Sequence, residues 1–331
     1  MLTTSVNGKA YDFNRVIGGR QFRGIISIAL SEEDDIFVVL RDSYGADIIK
    51  ITVGLEFEDE EVLFSFRDVD ENVFSGSWPS CACIVDDRLY VTDELKSIIL
   101  VFNLQGELIN SLGNEGSENG EFHRPSGIAC DTNGDLYVSD TLNHRIQKIT
   151  KEGNHITSWG YRGEDKDQLN YPWGICIDKE HYIYVSDHKN NRIQKFDHEG
   201  NFVLSIGLDS QGNQILNHPS DVTVDTDGDI YIADWINNRI QIFDDTGLHI
   251  ASIKGSANEL SKWQRRYVSA SPDVYKARRR VDSLEPEKFF ALPTCVRFDS
   301  HKSHILAVDS QRWRIQIFNK INDYSDPQFN I

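Results

Sequence analysis

Short apolar runs recur along the chain, separated by turns that are rich in Asp, Asn and Gly. In the clearest stretch the runs cover residues 127–130, 136–139, 146–149 and 155–159. The turn at residues 131–135 holds Asp, Asn and Gly, which tolerate left-handed backbone and close hairpins. Each unit is therefore predicted to be four antiparallel strands. The runs are apolar on both faces, which is typical of a small sheet packed between two neighbouring sheets.

A repeated polar phrase gives the spacing of these units. An aspartate is followed five positions later by an arginine within an Asn/His-Arg-Ile-Gln sequence or a close variant. Three of the aspartates, Asp140, Asp187 and Asp234, lie 47 residues apart. Such a period indicates a repeat protein, and counting two weaker copies near the amino terminus gives six units. The six aspartates are Asp42, Asp93, Asp140, Asp187, Asp234 and Asp309.

Within each unit the aspartate and arginine are expected to form a bidentate ion pair that holds the loop between them. Because that loop lies at the end of a blade, we expect the pair to be exposed and to stabilise the fold only slightly. The phrase is thus predicted to be structural. In the first two units Asp47 and Ile98 occupy the position of the arginine.

The last unit has three clear strands and then a polar tail. Residues 12–19 at the amino terminus have the pattern of the missing outer strand, similar to residues 201–207. We therefore expect this segment to complete the sixth unit and to close a ring, which removes two exposed sheet edges.

These motifs together resemble the NHL repeat: a proline at the start of a blade, Asp at the end of its second strand, then Asn-x-Arg-Ile-Gln. The resemblance covers nearly the whole chain. It implies an all-β, six-bladed β-propeller of four-stranded blades, and so a single domain over residues 1–331. The fold alone does not specify an activity, because function in repeat scaffolds resides in particular residues and loops.

One connection departs from the repeat. Residues 256–290 form a long insertion between blades 5 and 6, with a capping-box sequence at residues 256–259 and a Ser-Pro helix start at residue 271, which predict two short helices. The insertion carries eight basic and five acidic residues and is expected on the top face, the face of the inter-blade connections. Its predicted basic surface comprises Lys262, Arg265, Arg266, Arg278, Arg279 and Arg280.

Two interpretations of the insertion remain open. In the first, Trp263, Tyr267 and Phe289 pack on the blades, and the arginines pair with neighbouring acids. In the second, the insertion is a cationic lid that controls access of an anionic ligand or binds an acidic partner.

The same face is expected to display a ring of polar and aromatic side chains around the channel, suited to a small molecule or a peptide. On the inner strands, Asp221 and Arg297 replace small residues of other blades, which predicts an ion pair near the channel. Asp221, Arg297 and His188 are the candidate catalytic groups. The candidate ligand-binding residues are Tyr44, Ser126, Trp173, Ser220, Trp235, Arg312 and Trp313.

Composition excludes several classes of function. The formal net charge of −18 argues against general nucleic-acid binding, which depends on neutralising phosphates. No apolar run is long enough to cross a membrane, and the first residues lack the apolar centre of a signal peptide. The five cysteines are odd in number, which favours free thiols in a reducing cytoplasm and apolar packing roles.

No metal or other cofactor is expected. Some relatives in the NHL family are lyases that hold zinc with histidines placed just after blade-opening prolines, whereas these positions here carry Ser80, Ser126, Trp173, Ser220 and Thr294. His123 and His218 precede the proline instead. The Asp225-x-Asp227-Gly-Asp229 sequence is half of a calcium loop without its final glutamate, and it is predicted to be a hairpin turn.

Two functions fit these features. The first is a cytoplasmic scaffold that binds a protein or a small molecule, including an anionic one, through the top face and the channel mouth. The second is an enzyme, a lyase, hydrolase or cyclase, that uses the channel mouth without an axial histidine-bound zinc.

Overall fold

Six antiparallel sheets are arranged as the blades of a ring around a central channel. The computed structural model describes residues 4–6, 8–43, 45–54, 60–208, 211–281 and 283–324. Blades 1 to 5 each have four strands in sequential order, and in all six blades the innermost strand contacts the innermost strand of the next blade. The predicted all-β, six-bladed architecture is therefore confirmed.

The first three blades take up the amino-terminal half. Two strands, β1 (Thr4–Val6) and β2 (Lys9–Gly18), precede them. Blade 1 comprises β3 (Ile25–Leu30), β4 (Asp35–Asp42), β5 (Gly45–Val53) and β6 (Glu60–Ser65), followed by the short helix α1 (Phe66–Val69). Blade 2 comprises β7 (Pro79–Val85), β8 (Arg88–Asp93), β9 (Ile98–Asn103) and β10 (Leu108–Leu112). Blade 3 comprises β11 (Pro125–Cys130), β12 (Leu136–Asp140), β13 (Arg145–Ile149) and β14 (His155–Trp159).

The last three blades and the insertion follow. Blade 4 comprises β15 (Pro172–Ile177), β16 (Ile183–Asp187), β17 (Arg192–Phe196) and β18 (Phe202–Ile206). Blade 5 comprises β19 (Pro219–Val224), β20 (Ile230–Asp234), β21 (Arg239–Phe243) and β22 (His249–Ile253). The insertion carries α2 (Lys262–Ala270) and α3 (Pro272–Arg278). Blade 6 contains β23 (Pro293–Asp299), β24 (His304–Asp309) and β25 (Arg314–Ile321).

The amino-terminal segment supplies the outer strand of blade 6. Strand β2 pairs antiparallel with β25, with Ile17 opposite Ile315 and Val16 opposite Gln316, and β1 adds a fifth strand beyond it. The ring is thus closed by hydrogen bonds between the two ends of the described chain.

The hydrophobic core lies between blades rather than inside any one of them. Six buried clusters are found among the described residues, and each joins side chains of two adjacent blades. Tyr137, for example, extends from blade 3 into a cluster with Ile175 and Val185 of blade 4. This arrangement explains why the strands are apolar on both faces.

The repeated Asp-Arg phrase is structural, but its geometry differs from the prediction. In blade 3, Arg145 donates to Asp140 through Nε alone, at 2.8 Å, and its Nη2 donates to the carbonyls of Glu118 and Glu121 at 2.8 and 3.1 Å. Gln147 donates to the same Asp140 oxygen at 3.1 Å. The arginine therefore joins its own loop to the connection from the previous blade, and the expected bidentate pair was wrong.

The expected exposure of these pairs was also wrong. Asp140, Asp187, Asp234 and Asp309 are all fully buried. Each carboxylate accepts several hydrogen bonds, so its removal or the removal of its arginine would cost more than a surface ion pair does.

The insertion follows the sequence prediction only in part. Helix α2 begins at Lys262, after the N-cap Ser261, which forms a capping box with Gln264. The predicted start at residue 256 was wrong, because the N–H groups of Ser256 and Ala257 donate to Gln316 and Lys288 instead. Helix α3 does begin with proline at its first position, as predicted.

Across the described ranges, no helix is both long and apolar enough to cross a lipid bilayer.

Candidate binding site on the top face

The channel opens on the top face into a pocket of about 160 Å³. We call it the channel-mouth pocket, and its lining includes Trp173, Trp235, Asp221, Thr294 and Arg41. These residues come from the first three positions of inner strands, from the end of the second strand β4 and from the turn after the second strand β20. The repeat therefore brings residues that are far apart in sequence to one opening.

The serines that open the blades line this pocket, but their hydroxyls are already used. Ser80, Ser126 and Ser220 donate to the carbonyls of the prolines that open the next blades, at 3.3, 3.2 and 2.9 Å. All three residues are buried. Their main role is to join neighbouring inner strands, although Ser126 and Ser220 do lie where the sequence placed them.

Trp173 replaces this serine in blade 4, and His188 takes over its hydrogen bond. The imidazole Nδ1 lies 3.1 Å from the carbonyl oxygen of Pro219, and the ring stacks on Trp173 with centroids 3.8 Å apart. In blade 3 the equivalent residue, Thr141, donates to the Pro172 carbonyl at 2.8 Å. His188 therefore continues an inter-blade contact that serine and threonine make elsewhere.

Burial lowers the pKa of His188 to about 3, with smaller contributions from His218 and Lys189, and the Pro219 carbonyl opposes the shift. The ring is therefore neutral at physiological pH. Because Nδ1 faces a carbonyl oxygen, which can only accept, the proton of the neutral ring resides on Nδ1.

The predicted ion pair between Asp221 and Arg297 is confirmed. Oδ2 of Asp221 accepts from Nη1 of Arg297 and from the backbone N–H of Val296, the latter at 3.1 Å. Nη2 of Arg297 lies 3.3 Å from the sulfur of Cys81, which belongs to blade 2. Burial disfavours the charge on Arg297, but the interactions with Asp221, Cys295 and Cys81 together outweigh it and raise the pKa of the guanidinium. One arginine of blade 6 thus spans the channel.

The thiols are packing groups around this arginine. All five cysteines are free, and the hydroxyl of Ser27 lies 3.6 Å from the sulfurs of both Cys81 and Cys295. Burial raises the pKa of Cys295, so its thiol stays protonated. The expectation of compact apolar side chains holds for this residue.

Two polar atoms of the pocket lining have no partner. Oδ1 of Asp221 and Oγ1 of Thr294 are buried, and neither makes a hydrogen bond to any described residue. Gly174 permits the position of Asp221, because a Cβ on Gly174 would lie 2.3 Å from Oδ1. The pocket thus holds an acceptor, and a hydroxyl able to donate or accept, without protein partners.

The channel-mouth pocket continues outward along the seam between blades 6 and 1. An adjoining depression of about 320 Å³ shares Arg41, Trp235 and Thr294 with it and extends to Gln311 and Trp313. A third cavity, of about 400 Å³, shares Gln311 and Trp313 and reaches the insertion. We call these three adjoining depressions together the radial groove. Tyr44, a predicted ligand-binding residue, lies outside the described residues.

The insertion lies beside the channel mouth rather than over it. Ser261 donates to the carbonyl of Gly18 in β2, and Lys262 donates to the carbonyl of Glu60 in β6 at 3.0 Å. Among the residues lining the channel-mouth pocket, none belongs to the insertion. The insertion therefore covers the outer part of the blade 6–blade 1 seam.

The predicted basic residues of the insertion separate into two groups. Arg278 pairs with Glu287 at 2.7 Å and lines the third cavity. Arg266 and Arg279 lie against Trp263 and Tyr275, with the guanidinium carbon 5.1 and 5.8 Å from the ring centroids. Residues 279 and 280 are exposed. Substitution of residues 278–280 together would therefore change one residue of the cavity and two residues of the exposed surface.

Sequence reasoning missed Arg41, Glu94 and Arg20. Arg41 and Glu94 form an ion pair of 3.1 Å at the channel-mouth pocket. Burial lowers the pKa of Arg41, and Glu94 opposes that shift. Arg20 precedes the first blade and Arg41 lies in the degenerate blade 1, so the repeat does not mark them. Glu94 directly follows Asp93, as His188 follows Asp187, so the repeat could have marked this position.

Comparison with known proteins agrees with this architecture. Residues 77–149 match a family model described as a 6-bladed beta-propeller, and residues 169–196 and 216–243 match the NHL repeat. The chain is a six-bladed propeller with NHL repeats. No curated protein sequence matches this NHL propeller.

Solved structures share the fold at low identity. A structural genomics protein of unknown function from Bacteroides thetaiotaomicron is 15% identical, with a TM-score of 0.64, over 95% of this chain and 76% of that one. Virginiamycin B lyase from Staphylococcus aureus is 14% identical, with a TM-score of 0.57, over 93% of this chain and 99% of that one. Within the described part of the NHL propeller, no three His, Cys, Asp or Glu side chains form a group that could hold a metal ion.

Proposed function

We propose that this NHL propeller is a binding scaffold that holds an extended peptide in the radial groove, with one peptide group inside the channel-mouth pocket. The observation that carries the proposal is the pair of buried, unpartnered atoms in that pocket, Oδ1 of Asp221 and Oγ1 of Thr294. Buried polar atoms are normally hydrogen-bonded, so a ligand that brings an N–H donor would satisfy the Asp221 oxygen.

The composition of the groove supports a peptide ligand. Trp173, Trp235 and Trp313 are each partly exposed along it, and Arg41 and Arg23 line it as well. Tryptophan and arginine are the residues that most often dominate binding energy at protein interfaces. The groove also runs well beyond the channel mouth, which suits an extended chain better than a single small molecule.

The enzyme alternative rests on Asp221, Arg297 and His188. Asp221 and Arg297 are paired with each other, and His188 is neutral and donates to a backbone carbonyl. These contacts favour a structural, positioning role for the three side chains over a role in proton transfer. The virginiamycin B lyase similarity is one of fold, and at 14% identity its activity is not carried over to this chain.

The proposal can be tested by selecting peptides from a displayed random library on the full chain and measuring the affinity of the best binders by calorimetry. We expect Trp235→Ala and Asp221→Asn each to weaken binding by about tenfold or more. Tyr161→Ala is the matched control, since Tyr161 is an exposed aromatic residue that does not line the groove.

Thermal melts of each variant would separate lost binding from lost folding. Peptides that bind the two groove variants as tightly as the wild type would overturn the proposal. Turnover of a selected peptide, detected by mass spectrometry, would instead favour the enzyme.

A further inference from the structure

The outer end of the radial groove is a cavity of about 400 Å³ between the insertion and the top of blade 6. We call it the insertion cavity. Its lining combines the ring of Tyr267 and the side chains of Val268 and Val274 with the guanidinium groups of Arg20 and Arg312. It is therefore part apolar and part cationic.

The charges in this cavity do not balance. Four arginines line it, and Glu287 is the one carboxylate among its described lining residues. Arg314 is paired with Asp309 at 2.7 Å and Arg278 with Glu287 at 2.7 Å. Arg20 and Arg312 have no carboxylate partner among the described residues. Arg20 is exposed and stays hydrated, whereas Arg312 is partly buried, so the cost of the missing carboxylate falls on Arg312.

Arg312 is held in place with part of its guanidinium unused. Its Nη2 donates to the carbonyl of Pro286 at 2.6 Å, which fixes the group against the insertion. Its Nε is buried and makes no hydrogen bond to any described residue. A buried charged donor without an acceptor is costly, and a bound anion would remove that cost.

Arg20 is positioned by an aromatic ring. Its guanidinium carbon lies 4.1 Å from the centroid of the Tyr267 ring. A guanidinium that stacks by its face keeps the N–H groups at its edge available, and those groups match the two oxygens of a carboxylate or phosphate. The helix α2 supplies the tyrosine, so the site exists only because of the insertion.

We propose that the insertion cavity binds an oxyanion, a carboxylate or a phosphate group, between Arg20 and Arg312. The inference deepens the proposed function, because the cavity joins the radial groove at Gln311 and Trp313. The oxyanion belongs either to an acidic residue of the bound peptide or to a free small molecule. The Val268 and Val274 side chains would contact its organic part.

The first arm of the test uses free anions. Pyrophosphate and citrate are titrated separately into the full chain by calorimetry at low salt, where charge interactions are least screened. We expect saturable binding at one site. Arg312→Gln and Arg20→Gln should each weaken it by about tenfold or more, the loss expected when a charged hydrogen-bonding partner is removed.

Arg280→Gln is the matched control, because Arg280 is an exposed arginine of the same insertion outside the cavity. It should leave the affinity unchanged, and thermal melts should show that all three variants are folded. Equal losses in Arg280→Gln and Arg312→Gln would overturn the proposal, since they would indicate general charge attraction. The proposal would also be overturned if neither anion showed saturable binding at concentrations up to about 10 mM.

The second arm identifies the source of the oxyanion. Acidic residues of a selected peptide are changed singly to Gln or Asn, and affinity is measured for wild type and Arg312→Gln. A peptide source predicts that one acidic substitution weakens binding to the wild type but not to the variant. Anion binding without such coupling identifies a free small molecule, and anion binding without any peptide binding overturns the proposed function alone.

Discussion

The ammonium of Lys320 lies 2.5 Å from the carboxylate of Asp225, inside a group of three aspartates. It is also 2.7 Å from Asp227 and 2.9 Å from Asp229, and Lys9 reaches Asp229 at 2.7 Å. Lys9 and Lys320 belong to the two strands that close the ring, and the aspartates form the first hairpin of blade 5. The half calcium loop thus holds a lysine in place of a metal ion, and it joins the closing strands to the neighbouring blade.

Replacement of Lys320 by Met should destabilise the fold strongly. The side chain of Lys320 is only 2% exposed, so its loss leaves the buried carboxylate of Asp225 without its cation. We expect a loss of about 3–5 kcal/mol in the free energy of unfolding, typical of a broken buried ion pair. Urea denaturation measures it, and Lys179→Met, at a lysine that is 63% exposed, serves as the control. Equal stability of the two variants would contradict this role for Lys320.

The stability of the fold should depend on pH through Glu60, which lies where the insertion meets blade 1. Glu60 is buried where Gly18 donates to its Oε2, and burial raises its pKa from 4.5 to about 7. The folded protein therefore keeps a proton that the unfolded chain has released between these two values. The contribution of Glu60 to stability should fall as pH rises through this window and then level off, with a total change on the order of 3 kcal/mol.

Glu60→Gln removes the titrating group and keeps the side chain's shape. Its stability should equal that of the wild type near the acidic end of the window and exceed it above pH 7. Urea denaturation at a series of pH values measures the difference. Glu61→Gln, at an exposed position of the same strand, is the control. If the difference in the free energy of unfolding between the wild type and Glu60→Gln did not change with pH, the raised pKa of Glu60 would be refuted.

His188 should produce pH dependence of the opposite sign. Its folded pKa of about 3 lies below the ordinary 6.5, so the unfolded chain takes up a proton that the folded protein does not. The contribution of His188 to stability should therefore fall as pH drops below 6.5, by about 2 kcal/mol at about pH 5, which the difference in stability between the wild type and a His188 variant measures. NMR of the His188 ring should show no titration over that range.

Two variants separate the hydrogen bond of His188 from its charge. His188→Thr places at this position the residue type found in blade 3, where Thr141 donates to the next proline carbonyl. Both His188→Thr and His188→Ala should lose the part of the pH dependence that His188 causes, and Thr should be more stable than Ala by about 1 kcal/mol, the value of one hydrogen bond. Equal stability of the two would show that the Pro219 contact contributes nothing.

The sequence predicts the blades well because the same pattern of strands and turns recurs in several blades. It predicts exceptions poorly where one blade compensates for another. Ile242 stands where Lys148 faces Asp131 in blade 3, and the cation for blade 5 comes from Lys320 instead. Likewise His188 makes the contact that serines make elsewhere. These replacements depend on which residues are in contact between two blades. The spacing of residues along the chain does not predict those contacts.

The same reasoning separates the predicted site residues. Asp221 and Arg297 were recognisable because each breaks a pattern of small residues on inner strands. Arg20 and Arg41 were not recognisable, because they lie in or before degenerate blades. The cavity that Arg20 helps to form also depends on the path of the insertion, which periodicity does not describe.

Blade 2 offers a test of what the repeated arginine contributes. Asp93 is fully buried, and its Oδ1 accepts from the N–H groups of Trp78, Leu95 and Lys96, each at 3.0 Å. Its Oδ2 has no partner among the described residues, because Ile98 stands where Arg192 meets Asp187 in blade 4. The strand register is the same, with Asp93 opposite Ile98 and Asp187 opposite Arg192.

Ile98→Arg should therefore supply the missing donor and stabilise the fold by about 1 kcal/mol, since a hydrogen bond to a buried carboxylate outweighs the lost apolar contact. Ile98→Met is the matched control, because it removes the β-branched side chain without adding a charge. Arg192→Met is the reciprocal change, and it should destabilise blade 4 by leaving Asp187 with one donor fewer. Urea denaturation of the three variants measures these differences. If Ile98→Arg were no more stable than Ile98→Met, the arginine would depend on the carbonyls of the previous connection, which Arg192 reaches at Asp165 and Gln168, rather than on its aspartate.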